Sequence, residues 1–452
     1  MAERAKALQL QVNTSNRQIL MIAMPIAVSI LIPQINFITN NIFLSRLGEQ
    51  TLGVAGITGV FYLVFAVIGQ GLNNGLQALI ARRAGENRVS EIGSLFNQGV
   101  RISLILAAMS ILITYLIAPA IFRLSLHQKE HVDMAVHFLK IRIWGLPFLY
   151  IYQMRNALLV GINQSKYLVY GTLAETISNI VLDYGFIYGN FGLPIMGFNG
   201  AAIASIIAEA TGLFVTFAVM HWKGVTGRIA LFSNIKYNAA NIKLILVQSS
   251  PLIMQYAISI VSWEFFYILI EHHGDRDLAI SNTMRNIFGL FGCISWSFAA
   301  TSNMMVSNII GQGLQDKVIE LIIKIMKLSV GFALIIFVLL NLKPDILLQV
   351  YGQNEDFIQA GIPVVRVVSL ALVMQSVSTV WLNAVVGTGN SKRNLVTETI
   401  AIVVYCIYVY FTLEYFKLSI VIGWASEWLY WIVLFVPSFL YLKSNKWRDK
   451  KI

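Results

Sequence analysis

Laid over itself with a shift of 226 positions, the sequence repeats. Pro25 falls on Pro251, Gly48 on Gly274, Gly85 on Gly311, Gly161 on Gly387, and Ser165-Lys166 on Ser391-Lys392. The shift is constant across these anchors and equals half of the 452 residues. A constant offset over that length means two equal units, one ancestral unit copied and fused. Whatever one half folds into, the other must fold into as well.

The composition says in which solvent. The chain is 57% hydrophobic and 12% charged, with a mean hydropathy of +0.69. A soluble domain carries about twice that charged fraction. Apolar windows of about 20 residues recur from end to end, each long enough to cross the hydrocarbon layer as a helix. Tandem soluble domains are excluded. Twelve spans are expected, over residues 18–44, 51–80, 93–117, 133–159, 166–189, 197–221, 243–270, 277–308, 318–341, 357–386, 394–415 and 419–442. The polar, basic stretch 222–242 separates an N-terminal lobe (1–221) from a C-terminal lobe (243–452). The first span is too long and too polar for a cleaved signal peptide.

Lysine and arginine set the orientation. One set of loops holds Arg82, Arg83, Arg88, Lys166, Lys223, Arg228, Lys236, Lys317, Lys392 and Arg393; the opposite set holds only Arg46, Arg123, Lys129, Arg276, Lys343 and Lys417. Basic loops stay inside, so both termini are cytoplasmic. The net charge of +11 belongs to these loops and calls for no nucleic acid. An even number of spans per half inserts both halves the same way up. The expected fold is an all-α polytopic membrane protein: twelve transmembrane helices in two parallel six-helix lobes related by a pseudo-twofold along the membrane normal, with a cleft between them. Carriers built this way bind substrate between repeats. Cys293 and Cys406 both lie in apolar spans and give no disulfide framework. His127 and His131, with Glu130 and Asp133 nearby, have metal-like spacing but match no ligand motif and are read as loop residues; no resident metal or other cofactor is expected.

Polar residues at helical spacing inside apolar spans should face protein or water rather than lipid. Glu175, Asn179 and Asp183 follow at i, i+4, i+8 in the fifth span. Asn36 and Asn40 share a face of the first, with Asn41 beside them. Gln70, Asn73, Asn74 and Gln77 stripe the second, and Ser205 and Glu209 the sixth. These stripes are expected to converge on one polar site. The plain alternative is interhelical hydrogen bonding, at about 0.6 kcal/mol per contact. Asp183 favours function, because a carboxylate at mid-depth must pair with a cation or take up a proton. The second half carries a different set: Gln255, Ser259, Ser262, Glu264 and Tyr267; Asn282, Arg285 and Asn286; Arg366, Gln375, Thr379 and Asn383. Glu264 with Arg285 or Arg366 is either a structural ion pair or part of a binding site. Asn179 and Asp183 fall on Tyr405 and Val409 in the repeat, so two identical sites are not expected. Pro25, Pro33 and Pro251 lie inside long spans, where helices kink.

The segment Asn179 to Ser205, NIVLDYGFIYGNFGLPIMGFNGAAIAS, resembles the fifth-to-sixth-span signature of multidrug and toxic-compound extrusion (MATE) transporters. That signature has an Asn, a Leu-Asp with the Asp four residues later, and a Gly-Ala-Ala stretch ending in Ala-Thr. The first span ends NNIFLSRLGEQTLGVAGI, similar to the family's Arg-Leu-Gly segment, and Pro251 to Glu264 resembles its seventh-span pattern. The resemblance implies twelve helices in two lobes and export of amphipathic, often cationic compounds driven by inward H⁺ or Na⁺. It implies a cation site at Asn179 and Asp183, with Ser205 in place of a Thr and Asn40 in place of an Asp. It also marks Glu264 as the seventh-span acid and puts Gln375 where some members have Asp. With Asn40 the first-lobe site has one carboxylate rather than two.

The expected function is a secondary active antiporter of the cell inner membrane, not an enzyme. It would export amphipathic or cationic drugs or metabolites in exchange for H⁺ or Na⁺ by alternating access. The coupling set is Asp183, Asn179, Asn40, Ser205 and Asn36, with Na⁺, if used, at Asp183, Asn179 and Asn40. A second polar set comprises Glu264, Gln375, Arg285 and Tyr267. The partners are membrane lipids and the small-molecule substrate, and a monomer is expected. The alternative is a flippase for lipid-linked oligosaccharide, which needs a basic cleft; Arg155, Arg285 and Arg366 are its candidates.

Overall fold

The structure is a computed structural model that describes residues 9–126, 128–232, 235–349 and 355–450. Among these residues there are twelve long helices and no strand. They are α1 (Asn16–Ser45), α2 (Glu49–Gly85), α3 (Val89–Ser125), α4 (Lys129–Gly161), α5 (Leu168–Tyr188), α6 (Phe198–Trp222), α7 (Ala239–Glu271), α8 (Asp275–Gly311), α9 (Val318–Leu342), α10 (Glu355–Gly387), α11 (Ser391–Tyr415) and α12 (Ile420–Lys443). Each expected span has its helix. The helices containing Pro25, Pro33 and Pro251 run through these prolines without a break in assignment. His131, expected in a loop, lies in the first turn of α4; His127 falls outside the described residues.

Ten of the twelve are long and apolar enough to cross a membrane. The other two are α5 and α8, the bearers of the stripes Glu175, Asn179, Asp183 and Asn282, Arg285, Asn286. Their lower hydropathy reflects polar residues that need protein neighbours, and these helices have the most extensive packing, α5 with α6 and α8 with α10. Elsewhere the surface is apolar at helical spacing. On α3, Ile105, Met109, Leu112 and Leu116 are all exposed, a stripe that suits lipid and would associate in water.

The repeat persists in local detail. Both α2 and α8 start after a glycine with positive φ, Gly48 at 112° and Gly274 at 108°, a region that residues with a Cβ rarely enter. The last residues of α4 and α10 are the paired glycines. A Cβ on Gly161 would stand 2.6 Å from Cγ2 of Ile80, and one on Gly387 would stand 2.6 Å from the backbone oxygen of Asn303. Helix α4 meets α2 as α10 meets α8.

The chain groups into two compact units. One comprises Val28–Val247 with the segment ending at Leu10; the other comprises Gln248–Ile452 with Gln11–Ala27. The opening of α1 thus groups with the second unit. The cause is local: the Val12 N–H donates to Asn308 Oδ1 at 3.1 Å, and Gln312 Nε2 donates to the Val12 carbonyl at 2.9 Å. Described residues of the polar stretch 222–242 are packed rather than free. Ile229 and Leu231 are fully buried. From α3, Asn97 donates to the Leu231 carbonyl and Gln98 to the Lys236 carbonyl, both at 2.8 Å, and Arg101 donates to the Ile235 carbonyl. Asn241 donates to the Ser94 hydroxyl at 2.9 Å. Side chains of α3 thereby satisfy carbonyls that an exposed loop would leave to water.

Candidate functional site

Three of the expected stripes meet. Asn36 on α1 donates from Nδ2 to Asn179 Oδ1 on α5 at 2.7 Å. Asn179 Nδ2 faces the Ser205 hydroxyl on α6 at 3.5 Å, the long limit of a hydrogen bond. Further along, the Tyr188 hydroxyl donates to the Phe43 carbonyl at 2.7 Å. Helices α1 and α5 are therefore pinned at two levels. Asn40 and Asp183 each lie one turn on from the first pin and before the second, so both are held between the pins. Asn179 and Asp183 are 2% and 1% exposed.

Both carboxylate oxygens of Asp183 are buried without a hydrogen-bond partner, as are Oδ1 of Asn40 and Oδ1 of Asn36. These are four acceptors with no donor among the described residues. A buried polar group left unpaired costs about 1–3 kcal/mol, and more if it is charged. Such a cluster accommodates a proton or a small cation far better than a further electron pair. The next turn is apolar: Leu44 and Ile187 belong to a buried cluster with Phe122, Leu139 and Phe198. That cluster closes one end of the site with groups that offer an ion nothing.

The rest of the α5 and α6 stripes goes elsewhere. Glu209 is held by Arg142 of α4 through two contacts, Nη2 to Oε1 at 2.5 Å and Nη1 to Oε2 at 3.1 Å. The guanidinium of Arg142 also lies 4.0 Å from the centre of the Tyr62 ring. Arg142 is the cation whose field bears on Asp183. Glu175 packs beside Gly212 and has a buried Oε2 with no hydrogen-bond partner. Arg155 is fully buried, bonded to Thr216 and Asn156 and seated 3.8 Å from the Tyr152 ring centre. Arg142 lies inside the expected span 133–159 with no acidic residue at helical spacing to mark a pairing; its partner is 67 residues away.

In the second unit the expected set does not assemble into an ion pair. Among the described residues Glu264 forms no salt bridge with Arg285 or Arg366. Glu264 and Arg285 are half-buried and Arg366 is exposed. Arg285 instead lies over the rings of Trp263 and Tyr267, at 5.6 and 5.4 Å, and the Tyr267 hydroxyl donates to the Ser281 carbonyl at 3.1 Å. Gln375 is fully buried, its amide atoms without partners, against Gly292 of α8. The repeat equivalents of Asn36, Asn40, Asn179, Asp183 and Ser205 are Ser262, Phe266, Tyr405, Val409 and Trp431, all buried. Phe266 touches Tyr405 and Trp424 ring to ring, and Tyr430 joins Tyr405 to Trp431. Aromatic packing fills the place that the first unit keeps polar.

The second unit holds a buried carboxylate, Glu398, that no motif in the sequence marks. Glu398 on α11 accepts from Gln255 Nε2 at 3.2 Å and from Ser259 Oγ at 2.7 Å on α7, and from the Tyr430 hydroxyl on α12. Gln255 and Ser259 stood out as a stripe, but Glu398 follows Ser391-Lys392-Arg393 and reads as the charged end of a helix.

Two repeated helical units with lipid-suited exteriors and a buried polar cluster define a polytopic membrane transporter. A model of the MatE family matches residues 25–185 and again 251–411, two stretches themselves 226 apart. The chain belongs to the MatE family. A probable multidrug resistance protein NorM from Synechocystis sp. is 22% identical to it, over 85% of this chain and 85% of its own length. The NorM-named protein of Thermotoga maritima is 22% identical, over 91% and 88%. A crystal structure of MATE in complex with MaL6 superimposes with a TM-score of 0.88 over 97% of each chain, at 17% identity, which establishes the shared fold.

Proposed function

We propose that this protein is a secondary active antiporter that exports amphipathic or cationic drugs or metabolites in exchange for H⁺, with Na⁺ as the alternative ion, by alternating access. The multidrug names of the NorM relatives support the substrate class. The observation that carries ion coupling is Asp183: buried, without a hydrogen-bond donor among the described residues, and one helical turn from Asn179, which Asn36 of α1 bonds. Ion binding there cancels a costly charge and stabilises one packing of α1 against α5. It drives transport only through its different affinity for the two states. Ser205 supplies a hydroxyl at the edge of the site, and Asn179 an amide oxygen. A Na⁺ ion would take Asp183, Asn179 and Asn40; a proton needs only Asp183. The protein sits in the cell inner membrane as a monomer with both termini in the cytoplasm, as the basic loops direct. The flippase reading is less well supported, because two of its three arginines are engaged, Arg155 by Thr216, Asn156 and Tyr152 and Arg285 by two aromatic rings, which leaves only Arg366 exposed.

The test is dye efflux from proteoliposomes under separately imposed H⁺ and Na⁺ gradients. Efflux is expected under one of them and absent in Asp183→Asn, with that variant still folded. Undiminished gradient-driven export by Asp183→Asn would remove it from the coupling role.

A further inference from the structure

The second unit holds a carboxylate that the α1–α5–α6 cluster does not use. Glu398 is 2% exposed. Among the described residues the groups that bond it are Gln255 and Ser259 on α7 and Tyr430 on α12, and it forms no salt bridge. The next acid on α12, Glu427, bears on Tyr430 instead. Asn394 Nδ2 donates to Gln255 Oε1 at 2.7 Å. That contact fixes the amide of Gln255 so that its N–H faces the carboxylate. A metal cation is a poor occupant here, because the amide presents hydrogens rather than lone pairs.

The hydroxyls behave differently. Ser259 Oγ lies 2.7 Å from Glu398 Oε1 and also 3.0 Å from the Gln255 carbonyl. Turned to that carbonyl, the hydroxyl offers Glu398 a lone pair. Glu398 then carries a proton on Oε1 and donates it to Ser259 Oγ, which keeps its own acceptor. Rotation of one hydroxyl separates the two charge states, and neither strands the serine.

We propose that Glu398 is a proton-binding site of the second unit, enclosed by α7, α11 and α12. The donors that favour the ionised form, Gln255, Ser259 and Tyr430, come from α7 and α12, and burial opposes them. Its role in the transport cycle rests on the antiport reading, but the proton-binding site itself does not.

The test is infrared difference spectroscopy of the full-length protein in lipid nanodiscs, stepped through pH. On an Asp183→Asn background, which removes the first-unit carboxylate, a titrating buried carboxyl C=O band is expected, and its loss is expected when Glu398→Gln is added. On the same background Ser259→Ala removes one donor to the ionised form and should move the midpoint of that band by about one unit to higher pH. A titrating band that survives unchanged when Glu398→Gln is added, or a midpoint unmoved by Ser259→Ala, overturns the assignment. If the Glu398→Gln protein does not fold, the Ser259→Ala midpoint decides alone. A titrating band in Asp183→Asn with wild-type export driven by neither gradient sinks only the antiport reading, whereas gradient-driven wild-type export with no titrating band in Asp183→Asn sinks only this one.

Discussion

Arg142→Met should be among the most destabilising single changes in the first unit, and a second substitution should rescue it. The side chains of Arg142 and Glu209 are 13% and 7% exposed, and the guanidinium holds both carboxylate oxygens. With charge centres about 4 Å apart and an effective dielectric of about 20, the attraction is about 4 kcal/mol. Removing one member of a buried pair costs about 3–5 kcal/mol, because the partner's charge stays behind without a counter-charge. Here the stranded group is Glu209, next to Glu175, whose own Oε2 lacks a hydrogen-bond partner. Adding Glu209→Gln removes the stranded charge, so the double variant should recover about 2–3 kcal/mol of the loss. Glu209→Gln alone should cost less than Arg142→Met, since Arg142 keeps Glu175 within its field. The assay is unfolding of the four purified proteins in detergent, followed by tryptophan fluorescence and by survival of the monodisperse peak on size exclusion. If the double variant loses as much as the two single losses combined, the pair is uncoupled and stranded charge is not the cause.

Three further outcomes follow from the geometry. Asn40→Asp gives the first-unit site a second carboxylate between the two pins, and should raise the number of ions exchanged per substrate; an unchanged reversal potential in proteoliposomes would rule that out. Ser205→Ala should weaken ion dependence while Ser205→Thr retains it, read as the half-saturating ion concentration for efflux; equal behaviour of the two would mean that the hydroxyl takes no part. Gly387→Ala forces a Cβ to 2.6 Å from a backbone oxygen, whereas Gly161→Ala meets a side-chain methyl at the same distance. The first should cost about 1–3 kcal/mol, as overpacking does, and the second less, because Ile80 can move; equal thermal shifts would refute this.

The fold was largely legible in the chain because its two signals are long-range in sequence yet simple in form. A constant offset gives the duplication, and apolar windows give the helices, ten of them strongly and the polar-striped α5 and α8 less so; the glycines that start α2 and α8 are visible as a pair. The meeting of Asn36, Asn179 and Ser205 was legible too, since a spacing of four on three separate helices leaves few ways to hide polar groups from lipid. The partners of the charges were not legible. Glu209 finds Arg142 across 67 residues, and Glu398 finds Gln255 across 143; no periodicity links such pairs. Of the two readings left open for Glu264, the ion pair with Arg285 or Arg366 is absent among the described residues for a related reason. Arginine over aromatic rings is as satisfactory a burial as arginine on a carboxylate, and sequence gives no means to choose between Trp263 and Glu264 when the two are adjacent.

The connector stitched to α3 bears on how this molecule is best taken apart. A truncation placed after Trp222, where hydropathy drops, would remove the carbonyls that Asn97, Gln98 and Arg101 bond, together with the buried Ile229 and Leu231. A half-length version intended for biophysics should run on through Val247, and an inserted tag or protease site belongs elsewhere.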